Sequence, residues 1–177
     1  CDTLVALPHF TKNKNLIFAK NSDREPDEAQ ALQHFPRISQ RENTKGSEQN
    51  QTLKCTYIDI PQVKGTYEVL LSKPFQMWGA EMGINEFGVV IGNEAVFTNV
   101  KIQKQNTGLT GMDMLRLELE RSETAEEALN CITNLLSLYG QNACGGYKNK
   151  DFFYHNSYII ADPKEAYILE TAGKSWA

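Results

Sequence analysis

Alternating apolar and polar residues open the chain, give way to two stretches of helical periodicity, and then return. Residues 3–7 and 15–19 read as two strands joined by a polar turn at 11–14, a hairpin that starts at the first residues. The polar cluster Asn21-Ser22-Asp23-Arg24-Glu25-Pro26 follows, and Pro26 biases Glu25 away from helix, so a loop leaves the second strand. Residues 39–51 are the most hydrophilic segment and read as an exposed, mobile loop. Strand patterns resume at 54–60, 67–72, 76–81 and 88–92, punctuated by Pro61, Gly65 and Pro74. Two helices come next. Thr110 with Asp113 caps the first, which carries Met112, Leu115 and Leu119 on one face. Thr124 with Glu127 gives a capping-box signature, Ala128, Leu129, Ile132, Leu135 and Leu136 form an apolar stripe, and Gly140 supplies the stop. After a loop over 142–150, residues 157–160 and 166–169 predict a second hairpin around Asp162-Pro163-Lys164. Strands, two adjacent helices, then strands is the order of an α+β fold with antiparallel sheets, not of a βαβ unit. There is no internal repeat.

Composition narrows the classes without choosing among them. With 177 residues, 41% hydrophobic and 23% charged, the chain has the balance of one globular domain and excludes wholesale disorder, collagen-like repeats and coiled coil. Eighteen Lys+Arg against 22 Asp+Glu, with no basic block, argue against nucleic acid as a partner. Apolar runs such as 87–92 fall far short of the roughly 18–20 residues that span a bilayer, so no membrane span or targeting segment is expected. Cys1, Cys55, Cys131 and Cys144 form no CxxC pair, and His9, His34 and His155 are scattered, so no metal site is expected. The compartment stays open, with the cytoplasm favoured and secretion the alternative.

Position 1 changes the picture. A terminal cysteine carries a thiol and an α-amino group on one residue, with reference pKa values of about 8.5 and about 7.7–8. The neutral amine can take the thiol proton and later return it to a leaving group, so no histidine base is required. The alternative is an ordinary residue at the boundary of a fragment.

Several motifs, in order, carry a family resemblance. They are Cys1-Asp2-Thr3 with the run to Leu7, Lys20-Asn21-Ser22-Asp23-Arg24-Glu25-Pro26, Met82-Gly83-Ile84-Asn85-Glu86 running on to Gly92-Asn93-Glu94, Gly108-Leu109-Thr110-Gly111-Met112-Asp113, and Asp162-Pro163 through Leu169-Glu170-Thr171 to Trp176-Ala177. From end to end the chain resembles the secernin and dipeptidase A family of cysteine-type N-terminal nucleophile (Ntn) hydrolases. The resemblance implies a four-layer αββα sandwich with two antiparallel sheets, and amide-bond hydrolysis through an acyl-enzyme. Dipeptides are the implied substrate class, with no cofactor and no metal. Two other readings remain open: a secernin-like regulatory or binding protein with weak or no hydrolase activity, and an amidase for acylated small molecules.

The resemblance assigns catalytic roles to three residues. Cys1 is the nucleophile. Asp23 stands where the related conjugated-bile-salt hydrolases carry an aspartate, and would orient the terminal ammonium or the thiol. Asn93 stands for the asparagine that helps form the oxyanion hole. Asn21 and Arg24 would support Asp23 or bind a substrate carboxylate, for which arginine is suited. Lys20 replaces an arginine of the bile-salt enzymes. Cys55, Cys131 and Cys144 are expected to be structural, Cys144 on an exposed loop, while Trp78 and Trp176 are expected to pack inside. Family members are considerably longer, so residues 1–177 are expected to be the N-terminal part of a single Ntn-hydrolase domain. The missing C-terminal portion, or a second copy in a homo-oligomer, would then be a partner.

Overall fold

In the computed structural model, which describes residues 1–39 and 52–177, the expected hairpin forms from β1 (Asp2–Ala6) and β2 (Ile17–Asn21). Asp2 pairs with Asn21 and Ala6 with Ile17. Next in the chain stand β3 (Gln30–Phe35), then β4 (Thr52–Lys54) with β5 (Asp59–Pro61), then β6 (Val69–Pro74), β7 (Met82–Asn85) and β8 (Val90–Val96). The helices α1 (Gly111–Leu119) and α2 (Ala125–Tyr139) precede β9 (His155–Ala161), β10 (Ala166–Ala172) and β11 (Ser175–Trp176). One antiparallel sheet of seven strands runs β11-β10-β9-β8-β7-β6-β3, while β1 with β2 and β4 with β5 are separate two-stranded ribbons. The α+β class and the antiparallel sheets expected from the sequence are both present.

The seven-stranded sheet has two unlike faces, because successive side chains point to opposite sides. On one face Leu71, Ile91, Tyr158 and Ile160 are fully buried beneath α1 and α2. On the other, Leu32, Leu70, Ile84, Val90 and Ile168 line up across the strands. The β1–β2 hairpin covers only the middle of that second face. It fits there because Gly92 has no side chain: a Cβ would lie 2.9 Å from Thr3 Cγ2 and 3.0 Å from Phe18 Cζ. Away from the hairpin, Leu32 is 73% exposed and Ile168 72%. An open apolar groove of about 370 Å³ runs beside the hairpin between Leu16, Phe18, Leu32, Leu70 and Ile84.

Helix α1 is capped as its sequence predicts: Thr110 Oγ1 accepts from Asp113 N at 2.9 Å, and the Asp113 carboxylate accepts from Thr110 N. It is nevertheless buried on all sides, not on the single face that Met112, Leu115 and Leu119 suggested. Asp113 also takes the Thr56 hydroxyl at 2.6 Å, and the Arg116 guanidinium lies between the rings of Phe35 and Trp78, 4.0 and 4.2 Å from their centroids. The polar residues of this helix are thus used inward. Helix α2 starts at the Thr124 cap, but Glu127 takes the N–H of Glu123 and not that of the cap; it stops at Gly140, whose φ of 68° favours glycine.

Several expectations need correction. Residues 54–60 are not one strand: the chain turns between β4 and β5, with Cys55 N donating to Ile58 O and Thr56 drawn onto Asp113. Residues 76–81 are turns and bends and not a strand: Gly79 lies against the backbone of Met112 in α1 and Ala80 N donates to Met112 O, and the chain rejoins the neighbouring strands at Glu81. Strand β3 has no counterpart among the expected strands, since polar Gln30, Gln33 and His34 blur its alternation. Cys144 is buried, with Sγ 3.5 Å from Asn149 O, and Trp176 is 54% exposed. The loop predicted over 39–51 lies, from residue 40 on, outside the described residues.

Candidate active site

Cys1 stands just ahead of β1, exposed, at the end of the hairpin. Its side chain shares a face with Thr3, which alternation turns toward the seven-stranded sheet. The sulfur accepts a hydrogen bond from the backbone N–H of Asp23 at 3.2 Å. The chain leaving β2 is thereby laid against the thiol at Asp23. An N–H aimed at sulfur favours its anionic form, the form that acts as a nucleophile.

The other cysteines are built differently. Burial pushes the thiols of Cys55 and Cys131 up to about 12, with the nearby charges of Asp113 and Glu118, respectively, adding to the effect. Neither is a thiolate at neutral pH. Of the four cysteines Cys1 is the exposed one, Cys131 is partly buried, and Cys55 and Cys144 are buried.

Charged groups are concentrated around the loop that holds Asp23. The guanidinium of Arg24 makes a two-pronged contact with Glu28, at 2.7 and 2.6 Å, donates to Gly145 O at 2.8 Å, and lies 3.2 Å from Glu81 Oε1. Burial opposes its charge, but the Glu28 hydrogen bond and the neighbouring carboxylates outweigh that, so the group is held above its ordinary range. Ser22 donates its hydroxyl to the other Glu81 oxygen. Glu25 accepts from the backbone N–H groups of Tyr147, Lys148 and Asn149, which ties the 142–150 loop to the same corner. Asp23, Arg24, Glu25, Gly146 and Phe152 line a pocket of about 200 Å³ there.

A second polar pair lies farther along the hairpin. Lys20 and Glu94 form an ion pair at 3.1 Å, with the lysine side chain fully buried, and Thr3 donates to the same carboxylate. Gly92 and Glu94 thus face the hairpin, and the residue between them does not.

The structure separates the residues that the sequence grouped. Cys1 and Asp23 come together, although the contact runs through the Asp23 backbone; its carboxylate is exposed and has no hydrogen-bond partner among the described residues. Asn93 lies on the opposite, helix-covered face: its Nδ2 donates to Asn156 Oδ1 at 2.8 Å, and Asn156 Nδ2 in turn donates to Gln141 at 2.9 Å. Alternation along β8 thus puts the Asn93 side chain on the helix side, bonded to Asn156, while Thr3 and Cys1 stand on the hairpin side, so the two expected site residues are not brought into contact. Asn21 pairs with Asp2, and alternation puts its side chain on the outer side of the hairpin. Arg24 is engaged by two carboxylates and a carbonyl through Nε and Nη2, and it also lines the pocket beside Asp23. Sequence reasoning missed Ser22, Glu81 and the pairing of Lys20 with Glu94. Counting alternate positions along 90–96 would have put Glu94, not Asn93, beside the hairpin.

Comparison with known proteins agrees with this layout. The chain superposes over 100% of its length on penicillin V acylase from Agrobacterium tumefaciens, at a TM-score of 0.60 and 15% identity, covering 48% of that chain. Two forms of conjugated bile acid hydrolase from Clostridium perfringens match as well. The mutant has a TM-score of 0.61 at 16% identity, over 99% of this chain and 49% of that one. The other variant has 0.63 at 17%, over 100% and 50%. The fold is therefore that of the Ntn-hydrolase-like acylases, and the chain spans about half the length of these structures. The family model for acyl-coenzyme A:6-aminopenicillanic acid acyl-transferase matches residues 10–170, and the chain belongs to that family.

Proposed function

We propose that this chain carries the nucleophile of an N-terminal cysteine amidohydrolase, with dipeptides as the substrate class. The observation that supports it best is the exposed Cys1 sulfur, which accepts the Asp23 N–H at the end of the hairpin. In this reading the α-amino group takes the thiol proton, and Sγ attacks the substrate carbonyl. As the C–N bond breaks, the resulting ammonium returns that proton to the leaving amine. Water then cleaves the thioester and regenerates the thiol. Family membership and the similar acylase structures support amide chemistry; the preference for dipeptides rests on the end-to-end resemblance to the secernin and dipeptidase A group. The neighbouring solved structures, a penicillin acylase and a bile acid hydrolase, favour a second substrate class, N-acylated small molecules. A further polypeptide layer over the open sheet face, from the remainder of a longer chain or from a second copy, completes the substrate cleft in this account.

A panel of dipeptides and N-acyl amides, assayed with protein whose amino terminus has been verified by intact mass, separates these classes. Turnover of free dipeptides above N-acyl amides supports the reading. The opposite order assigns the chain to acylated small molecules.

A further inference from the structure

Ser22 and Arg24 flank Asp23, and both are held by a single carboxylate. Ser22 donates to Glu81 Oε2, and the Arg24 guanidinium lies 3.2 Å from Glu81 Oε1. Glu81 is 3% exposed, and its own backbone is pinned on both sides: its N–H donates to Ser72 O at 3.1 Å, and its carbonyl accepts from Asn93 N at 2.9 Å. The carboxylate is thus a fixed point on the seven-stranded sheet, while the loop it holds belongs to the hairpin layer. Arg24 is restrained further by Glu28, itself 8% exposed, and by Gly145 O.

We propose that Glu81 is a positioning residue for the nucleophile: by holding Ser22 and Arg24 on its two oxygens, it fixes the intervening Asp23 N–H on the Cys1 sulfur. The inference rests on Cys1 being the nucleophile. The direction of the Asp23 N–H is set by the peptide plane that joins it to Ser22, and anchoring the residues on either side removes the rotations that would swing it away. Fixing a donor in advance matters because an N–H bonded to sulfur favours the thiolate only while it stays in line.

Electrostatics alone predicts the opposite effect, which makes the inference testable. A carboxylate that contacts both neighbours of Asp23 would, by simple charge repulsion, disfavour a thiolate at Cys1, and Glu81→Gln would then ease ionisation. The charged groups around it are Arg24 and Glu28 with the Tyr154 phenol, and Lys20 with Glu94 lies on the hairpin side.

The test is the rate of Cys1 alkylation by iodoacetamide as a function of pH, resolved by peptide mapping, in wild type and Glu81→Gln. Positioning predicts a roughly threefold to tenfold slower reaction of the variant at neutral pH, with the profile displaced to higher pH and the same plateau in alkali. An unchanged profile, or one displaced to lower pH, in a variant that melts cooperatively overturns the inference. Should Glu81→Gln fail to fold, Ser22→Ala removes one arm at an exposed position and is held to the same outcomes at the smaller end of the range. The two claims fail separately. Hydrolysis that survives Cys1→Ala overturns the nucleophile reading, whereas an unchanged alkylation profile beside an inactive Cys1→Ala overturns only the role of Glu81.

Discussion

Leu71 and Leu32 belong to neighbouring strands of one sheet and live in different surroundings. Leu71 faces the helices and is 0% exposed, whereas Leu32 faces the other way and is 73% exposed. The helix-covered face is finished: its apolar residues interdigitate with α1 and α2, and even its polar side chains, the chain of amides from Asn93 through Asn156 to Gln141, are bonded to one another. The opposite face carries a comparable apolar pattern under a hairpin too small to cover it. The candidate site is on this second face. The packed core and the candidate site thus lie on opposite sides of the same strands.

Substitutions at matched positions measure that division. Leu71→Ala should cost about 2–5 kcal/mol in urea denaturation, as expected for a cavity in a packed interior. Leu32→Ala should stay within about 0.5 kcal/mol, in the range of surface changes. Equal losses would mean that the second face is already covered in solution.

Cysteine reactivity sharpens the contrast. In native protein at neutral pH, alkylation of Cys55 and Cys131, whose thiols lie at about 12, should run at least a thousandfold slower than that of Cys1. Site-resolved labelling over time measures this directly. Comparable rates at Cys1 and the buried Cys55 would show that the packed core opens readily.

The smallest effect concerns Glu118, fully buried in α1, whose two carboxylate oxygens have no hydrogen-bond partner among the described residues. Burial raises its pKa well above the ordinary carboxylate value. The unfolded chain therefore loses this proton near the reference value of about 4.3, while the folded chain keeps it to higher pH, so the contribution to stability is complete below that value and declines as pH rises. Glu118→Gln should match wild type in urea midpoint near pH 4 and exceed it increasingly toward pH 8. A gap that does not widen with pH would show that Glu118 is solvated or paired in the native state.

What the sequence disclosed divides along the same line. Helix α2, the caps at Thr110 and Thr124, and the β9–β10 hairpin were legible because their signals are local: a cap three residues from its partner, a stripe of one period, a turn around Asp162-Pro163. Strand β3 and the break between β4 and β5 were not, since they depend on what the chain meets far away, namely β6 and Asp113. The same holds for the site. That Cys1 and Asp23 lie together was legible from motifs, although the contact runs through the Asp23 backbone. The direction in which Asn93 points follows from register and alternation in β8, and the use of Arg24 by Glu28 and Glu81 depends on contacts that no short motif encodes.

Hydrolysis by Cys1→Ala, compared with wild type on the preferred substrate, bears most directly on the central claim. The account predicts that replacing the sulfur lowers turnover by at least a thousandfold while the melting temperature stays within a few degrees, since Cys1 is exposed and outside the core. Turnover retained within tenfold in the folded variant would contradict it.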